Sequence, residues 1–209
     1  DTVVSVRVNN GDFSVDDGSG VEQSSVGGII GSIINNGQVD IVDSSFKGKL
    51  TAVNGAPVFL GGILGSHSSG SGDVNIDDSI VTLVQVDDAV GGGSIGGVVG
   101  HQSSTGTISI DHTAVFVDPA NANGAADDII GASSFFGGLV GQSTDGTWLF
   151  FTNSYVSFLG SAFDGSATKG NLVGTAANAP ATAPVNTAAV NTIGTGGGNA
   201  PTANNLETS

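Results

Sequence analysis

Val26-Gly27-Gly28-Ile29-Ile30-Gly31 decides how the whole chain is read. The same apolar-Gly-Gly-apolar-apolar-Gly pattern returns as Leu60-Gly61-Gly62-Ile63-Leu64-Gly65, Ile95-Gly96-Gly97-Val98-Val99-Gly100 and Phe136-Gly137-Gly138-Leu139-Val140-Gly141. A fifth version, Gly170-Asn171-Leu172-Val173-Gly174, has Asn171 in place of the second glycine. The first glycines stand at 27, 61, 96, 137 and 170, in steps of 34, 35, 41 and 33 residues. Self-similarity at such a period marks a stacked repeat architecture.

A second block follows each motif. It aligns on a turn glycine, at Gly37, Gly72, Gly106 and Gly146. An alternating apolar pair comes next: Val39 and Ile41, Val74 and Ile76, Ile108 and Ile110, Leu149 and Phe151. Then come the polar dipeptides Asp43-Ser44, Asp78-Ser79, His112-Thr113 and Asn153-Ser154, followed by Phe46, Val81, Val115 and Val156. Period-2 patterning puts one face of each strand inward. Each repeat therefore reads as three short strands separated by polar or glycine corners, and stacking repeats buries a face too narrow to be buried alone. The glycines suit corners that need positive φ or close approach of neighbouring coils. Adjacent pairs such as Ile29-Ile30 and Ile63-Leu64 point to opposite faces of a flat strand. The reading favoured over a bend at the glycines is a strand covered on both faces.

The pattern resembles the GLUG repeat of large bacterial surface and secreted proteins. The resemblance covers roughly residues 20 to 174. It implies a repetitive β-rich extracellular region of the kind found in adhesins, and it carries over no catalytic residue. Asn171 departs from the motif and argues against a full fifth coil. The expected fold is all-β: a β-solenoid, parallel β-helix-like, of about four coils. Residues 1–26 would form a partial coil, 27–174 the repeats and 175–209 a Thr/Ala/Asn/Gly-rich tail. Within the first segment Val4, Val6 and Val8 alternate as a half-buried strand, Asn9-Asn10-Gly11 turns the chain, and Asp12 to Val15 begins a second strand. Pro119 to Asp128 reads as an inserted loop.

Composition narrows the function. The chain has 209 residues, 19 acidic against 4 basic, and a net charge of −15. Nucleic acid binding draws on Lys and Arg at phosphates, so that class is set aside, as are anionic membrane surfaces. No apolar stretch is long enough to span a bilayer, so no membrane insertion is expected. Cysteine is absent, which excludes disulfides and thiol chemistry. Acidity with few lysines fits a soluble protein outside the cell or on its surface. Asp1 at the start, with no Met in the chain, reads as a product of processing or a fragment.

Candidate chemistry is sparse. Asp pairs occur at Asp16-Asp17, Asp77-Asp78, Asp87-Asp88 and Asp127-Asp128. Asp87, Asp88, Asp127 and Asp128 lie just ahead of glycine motifs and are the candidate calcium ligands, because calcium takes clustered loop oxygens. Solvated loops are the plainer reading, and no other cofactor is expected. His67, His101 and His112 have no zinc-type spacing. Enzymatic activity is not expected. The alternative to a structural role is a glycan-binding or polysaccharide-cleaving β-helix protein using aromatic residues near Trp148. A host surface or a glycan is then the ligand.

The ends of a solenoid carry unpaired strand edges, which invite pairing with another chain. The expected interface joins Val4, Val6 and Val8 at one end to Trp148, Phe151, Tyr155 and Phe158 at the other. It gives a homo-oligomeric head-to-tail filament. The tail, with Val-Asn-Thr at 185–187 and 190–192, would add a strand to a neighbouring subunit through Val185, Val190 and Ile193.

Overall fold

The computed structural model describes residues 2–16, 24–34, 36–54, 58–68, 70–88, 93–117, 135–158, 168–178, 180 and 182–190. The chain winds through four strands per coil. Coil one contains β1 (Thr2–Val4), β2 (Arg7–Asp16), β3 (Ser24–Gly27) and β4 (Ile30–Ile33). Coil two contains β5 (Val39–Val42), β6 (Ser45–Asn54), β7 (Val58–Gly61) and β8 (Leu64–His67). Coil three contains β9 (Val74–Asp77), β10 (Ile80–Asp88), β11 (Ser94–Gly96) and β12 (Val99–Gln102). Coil four contains β13 (Ile108–Asp111), β14 (Ala114–Val117), β15 (Phe135–Gly137) and β16 (Val140–Ser143). Coil five contains β17 (Leu149–Thr152), β18 (Tyr155–Phe158), β19 (Thr168–Gly170) and β20 (Val173–Ala176). A further strand, β21 (Ala188–Val190), begins a sixth coil.

Each strand pairs in parallel with its counterpart one coil away, which makes four sheets. Sheet A stacks β1, β5, β9, β13 and β17; sheet B stacks β2, β6, β10, β14, β18 and β21. Sheet C stacks β3, β7, β11, β15 and β19; sheet D stacks β4, β8, β12, β16 and β20. This is the expected β-solenoid at the expected period. The inward residues form columns. Ile41, Ile76, Ile110 and Phe151 line sheet A, and Phe46, Val81, Val115 and Val156 line sheet B, all fully or nearly fully buried. Parallel β structure covered in this way reads as long apolar runs, as Val58 to Leu64 does.

Four strands replace the expected three because the chain bends inside each glycine motif. Gly28-Ile29, Gly62-Ile63, Gly97-Val98 and Gly138-Leu139 are bends, each flanked by a short strand of sheet C and one of sheet D. We call this unit the arch. The reading of one continuous strand is thus corrected, although both apolar residues at the bend, Ile63 and Leu64, are fully buried. The glycines are there for space. A Cβ on Gly61 would strike the Leu64 carbonyl within the same arch. A Cβ on Gly62 would strike both the Gly97 carbonyl of the next coil and the Val81 side chain across the core. The positive-φ explanation fails, since Gly70 is the one described glycine with positive φ.

The first and last coils also differ from expectation. The expected partial coil of residues 1–26 holds β1, β2 and most of β3, and β4 of the first motif completes the coil. Asn9-Asn10-Gly11 is no turn: β2 runs through it with a register shift against β6 between Asn9 and Gly11. The corner comes earlier, at Ser5-Val6, so Val6 is exposed while Val4 and Val8 pack partly against the core. The fifth coil forms despite Asn171. By register, the column Phe46, Val81, Val115, Val156 ends at Ala189, so the smallest residue falls where the only non-glycine second position needs room. Asn171 is buried there, and its side-chain oxygen has no partner.

Candidate functional site: corners, outer faces and ends

The corner between sheets A and B repeats one device. Asp43, Asp78, His112, Asn153 and Asn186 all have φ between 42° and 48°. Short polar residues tolerate this left-handed region better than others. The next residue, Ser44, Ser79, Thr113, Ser154 or Thr187, is buried. Each hydroxyl donates to the carbonyl two residues back, at 2.8 to 3.0 Å. Most also accept a backbone N–H from the preceding coil: Val6 to Ser44, Ser44 to Ser79, Thr113 to Ser154, and Ser154 to Thr187. The buried corner is thereby satisfied rung by rung.

On the outer face of sheet A lies a shallow groove of about 420 Å³, lined by Asp40, Asn75, Ser109, Asp77 and Asp111. The Gln38 and Asn75 amides donate to Asp40 and hold its carboxyl below the usual range. At the adjoining corner the His112 ring nitrogen Nδ1 sits 3.3 Å from both Asp77 and Asp111 carboxylates. Asp77, Asp78 and His112 place three ligand atoms within 4.8 Å of one another. Calcium takes six to eight oxygens, so these exposed groups supply less than half a shell.

The sheet D side holds the other two histidines. His67 is fully buried, and its Nδ1 meets the Ser104 hydroxyl at 2.8 Å. Gln102 donates to the Ser104 carbonyl and accepts from Ser143. His101 stacks on Phe59 with ring centroids 4.1 Å apart, and its Nδ1 is buried without a partner. Burial lowers both histidine pKa values, that of His101 to about 4.

Several of the proposed ligands and interface residues lie outside the description. Asp127 and Asp128 lie outside the described residues, as do Ile193 and the Pro119–Asp128 insertion. Asp87 and Asp88 end β10, and Phe158 ends β18, but their side chains also lie outside the description. Phe151 is buried in the core column of coil five. Trp148 is half-buried in a 3₁₀ turn over Gly146–Trp148. Tyr155 is exposed and tilts against Phe116. The tail also departs from expectation. Val185 bridges Thr152, and β21 pairs with Tyr155–Ser157 of the same chain, so Val185 and Val190 extend their own sheets rather than a neighbour's. Asn186-Thr187 is the readable signal, since it continues the Asp-Ser, His-Thr and Asn-Ser corner series.

The arches complete the site. In each, the second glycine N–H donates to the first-glycine carbonyl one coil on, as Gly28 does to Gly61. Both apolar N–H groups then converge on one carbonyl, as Ile29 and Ile30 do on Ile63 at 3.1 and 2.9 Å. The series repeats without a break to Leu139 and Val140 on Leu172. Chemically these groups pair strands. No family, curated protein or solved structure matches the chain.

Proposed function

We propose that the chain is a non-enzymatic structural protein of the cell surface or extracellular space, a β-solenoid fibre subunit or adhesin module whose units associate end to end. The observation that carries this reading is the open first coil. β1, β2, β3 and β4 each stand at the edge of their sheet, so among the described residues coil one presents one unpaired strand edge in each of the four sheets. Edges of this kind recruit another chain unless covered. The net charge of −15 opposes association in every orientation and is screened by salt, so end-to-end pairing should strengthen as ionic strength rises. The GLUG-like motif agrees with a repetitive surface protein. Sedimentation velocity over a wide concentration range, with negative-stain microscopy, tests the reading. Linear polymers are expected at high concentration; a monomer throughout refutes it.

A further inference from the structure

Resting on that reading, we propose that coil one of one molecule docks on the coil-five arch of a second copy, and that the tail rung must lift away for it to do so. Three observations meet at this interface. The first is hydrogen-bond polarity. The arches of coils one to four each donate N–H groups to the next coil. Among the described residues, the N–H groups of Asn171, Leu172 and Val173 have no coil beyond them. At the other end, the Gly27 and Ile29 carbonyls are the acceptors of that series and have no coil before them. Donors at one end thus match acceptors at the other, in the register that β16 and β20 already use.

The second observation is Gly31. In coils two and three the third glycine is crowded by the preceding coil. A Cβ on Gly65 would come within 2.5 Å of the Gly31 carbonyl and 2.7 Å of the Val26 nitrogen, and Gly100 is placed likewise. A Cβ on Gly31 meets one atom, the Ser25 carbonyl at 3.2 Å. Nothing among the described residues requires glycine there, whereas a docked coil five would. Its Gly174 carbonyl and Lys169 backbone would occupy the places that Gly31 and Val26 hold against Gly65.

The third observation is the sixth rung. Val185 and β21 occupy the outer edges of β17 and β18, while β19 and β20 carry no further rung among the described residues. A coil docked on the arch brings its own β1 and β2 to those same edges. Tail and partner therefore compete for one rung. The tail holds an advantage at the corner, because the Thr187 hydroxyl accepts the Ser154 N–H at 3.3 Å and Val6 of a docked copy has no hydroxyl to offer. Assembly is accordingly gated by a short segment of three paired residues and one bridge.

The test uses the full chain. Ala189→Glu puts a charge on a buried tail position and should expel the rung; Thr187→Pro removes the corner hydroxyl independently. Either is expected to lower the concentration for polymerisation at least tenfold. Gly31→Val added to either should abolish polymers while leaving the melting transition and strand circular dichroism of the monomer intact. Equal polymerisation of the original and tail-released chains overturns the gate. Polymers that persist with Gly31→Val overturn the seat. If neither the original nor the released chains polymerise, the end-to-end reading falls, and this inference with it.

Discussion

Mild acid should destabilise this protein through His101, and the size of the effect follows from its place in β12. The ring is stacked on Phe59, its Nδ1 lacks a partner, and burial holds its pKa at about 4 against 6.5 for a free histidine. The unfolded chain therefore binds a proton between pH 6.5 and pH 4 that the folded chain refuses. Stability is complete above pH 6.5 and falls as the pH drops through that window. At pH 5 the two pKa values correspond to a loss of about 2 kcal/mol. Residual solvent contact, and attraction of a charged imidazole to the Phe59 face, reduce this to about 1 kcal/mol. The lowered carboxylates, Asp40, Asp73 and Asp145, release their contribution only below their ordinary value of 3.8, outside the window. Acid also relieves repulsion among the 19 acidic side chains, which acts in the opposite sense. Comparison with His101→Phe, which keeps the stack, cancels that background and the parallel effect of His67. Urea unfolding at pH 7 and pH 5 should show the original protein losing about 0.5 M more in midpoint than the variant. Equal losses in both proteins would refute the assignment.

Gly62→Ala should cost about 3 kcal/mol or more, since its methyl group meets the Gly97 carbonyl and Val81 at once, whereas Gly37→Ala, in open space, should change stability by less than about 0.5 kcal/mol. Thermal melts check this, and a Gly62→Ala transition within about 2 °C of the original removes the close-approach argument. Asn171→Gly combined with Ala189→Val should restore the interior pattern to coil five and add about 1–2 kcal/mol, by removing an unpaired buried oxygen and filling the core. Ala189→Val alone should destabilise; a double variant no more stable than the single one breaks the proposed pairing of these positions.

Much of this architecture was legible because the glycine motif and the corner dipeptide recur at one period. The columns Ile41–Ile76–Ile110–Phe151 and Phe46–Val81–Val115–Val156 could be aligned by eye. The arch could not, because adjacent apolar residues such as Ile63-Leu64 look alike in a doubly covered strand and at a bend. Only the carbonyls of the neighbouring coil distinguish them. The same ambiguity hid the purpose of the glycines, since a missing side chain signals either a left-handed backbone or a close approach. The left-handed residues proved to be Asp43, Asp78, His112, Asn153 and Asn186, at the corner between sheets A and B and not at the glycines. The tail rung was missed because Thr/Ala/Asn composition outweighed a two-residue corner signal. Of the candidate site, the polar corner was visible in sequence. The groove and the matched ends depend on which coil lies next to which, which no single stretch encodes.

Strands here pair with their counterparts one coil away, and this gives the chain an unusual tolerance to surgery. Cutting at Gly72 and rejoining at Gly106 removes one coil and leaves β8 meeting β13 through an equivalent corner, with carbonyls awaiting the same donors. Removing half as many residues would instead set sheet A strands against sheet C strands and scatter the apolar columns. Length in such a molecule changes naturally in whole coils, so related proteins can grow or shrink as a ladder does, by rungs, while both ends keep their shape.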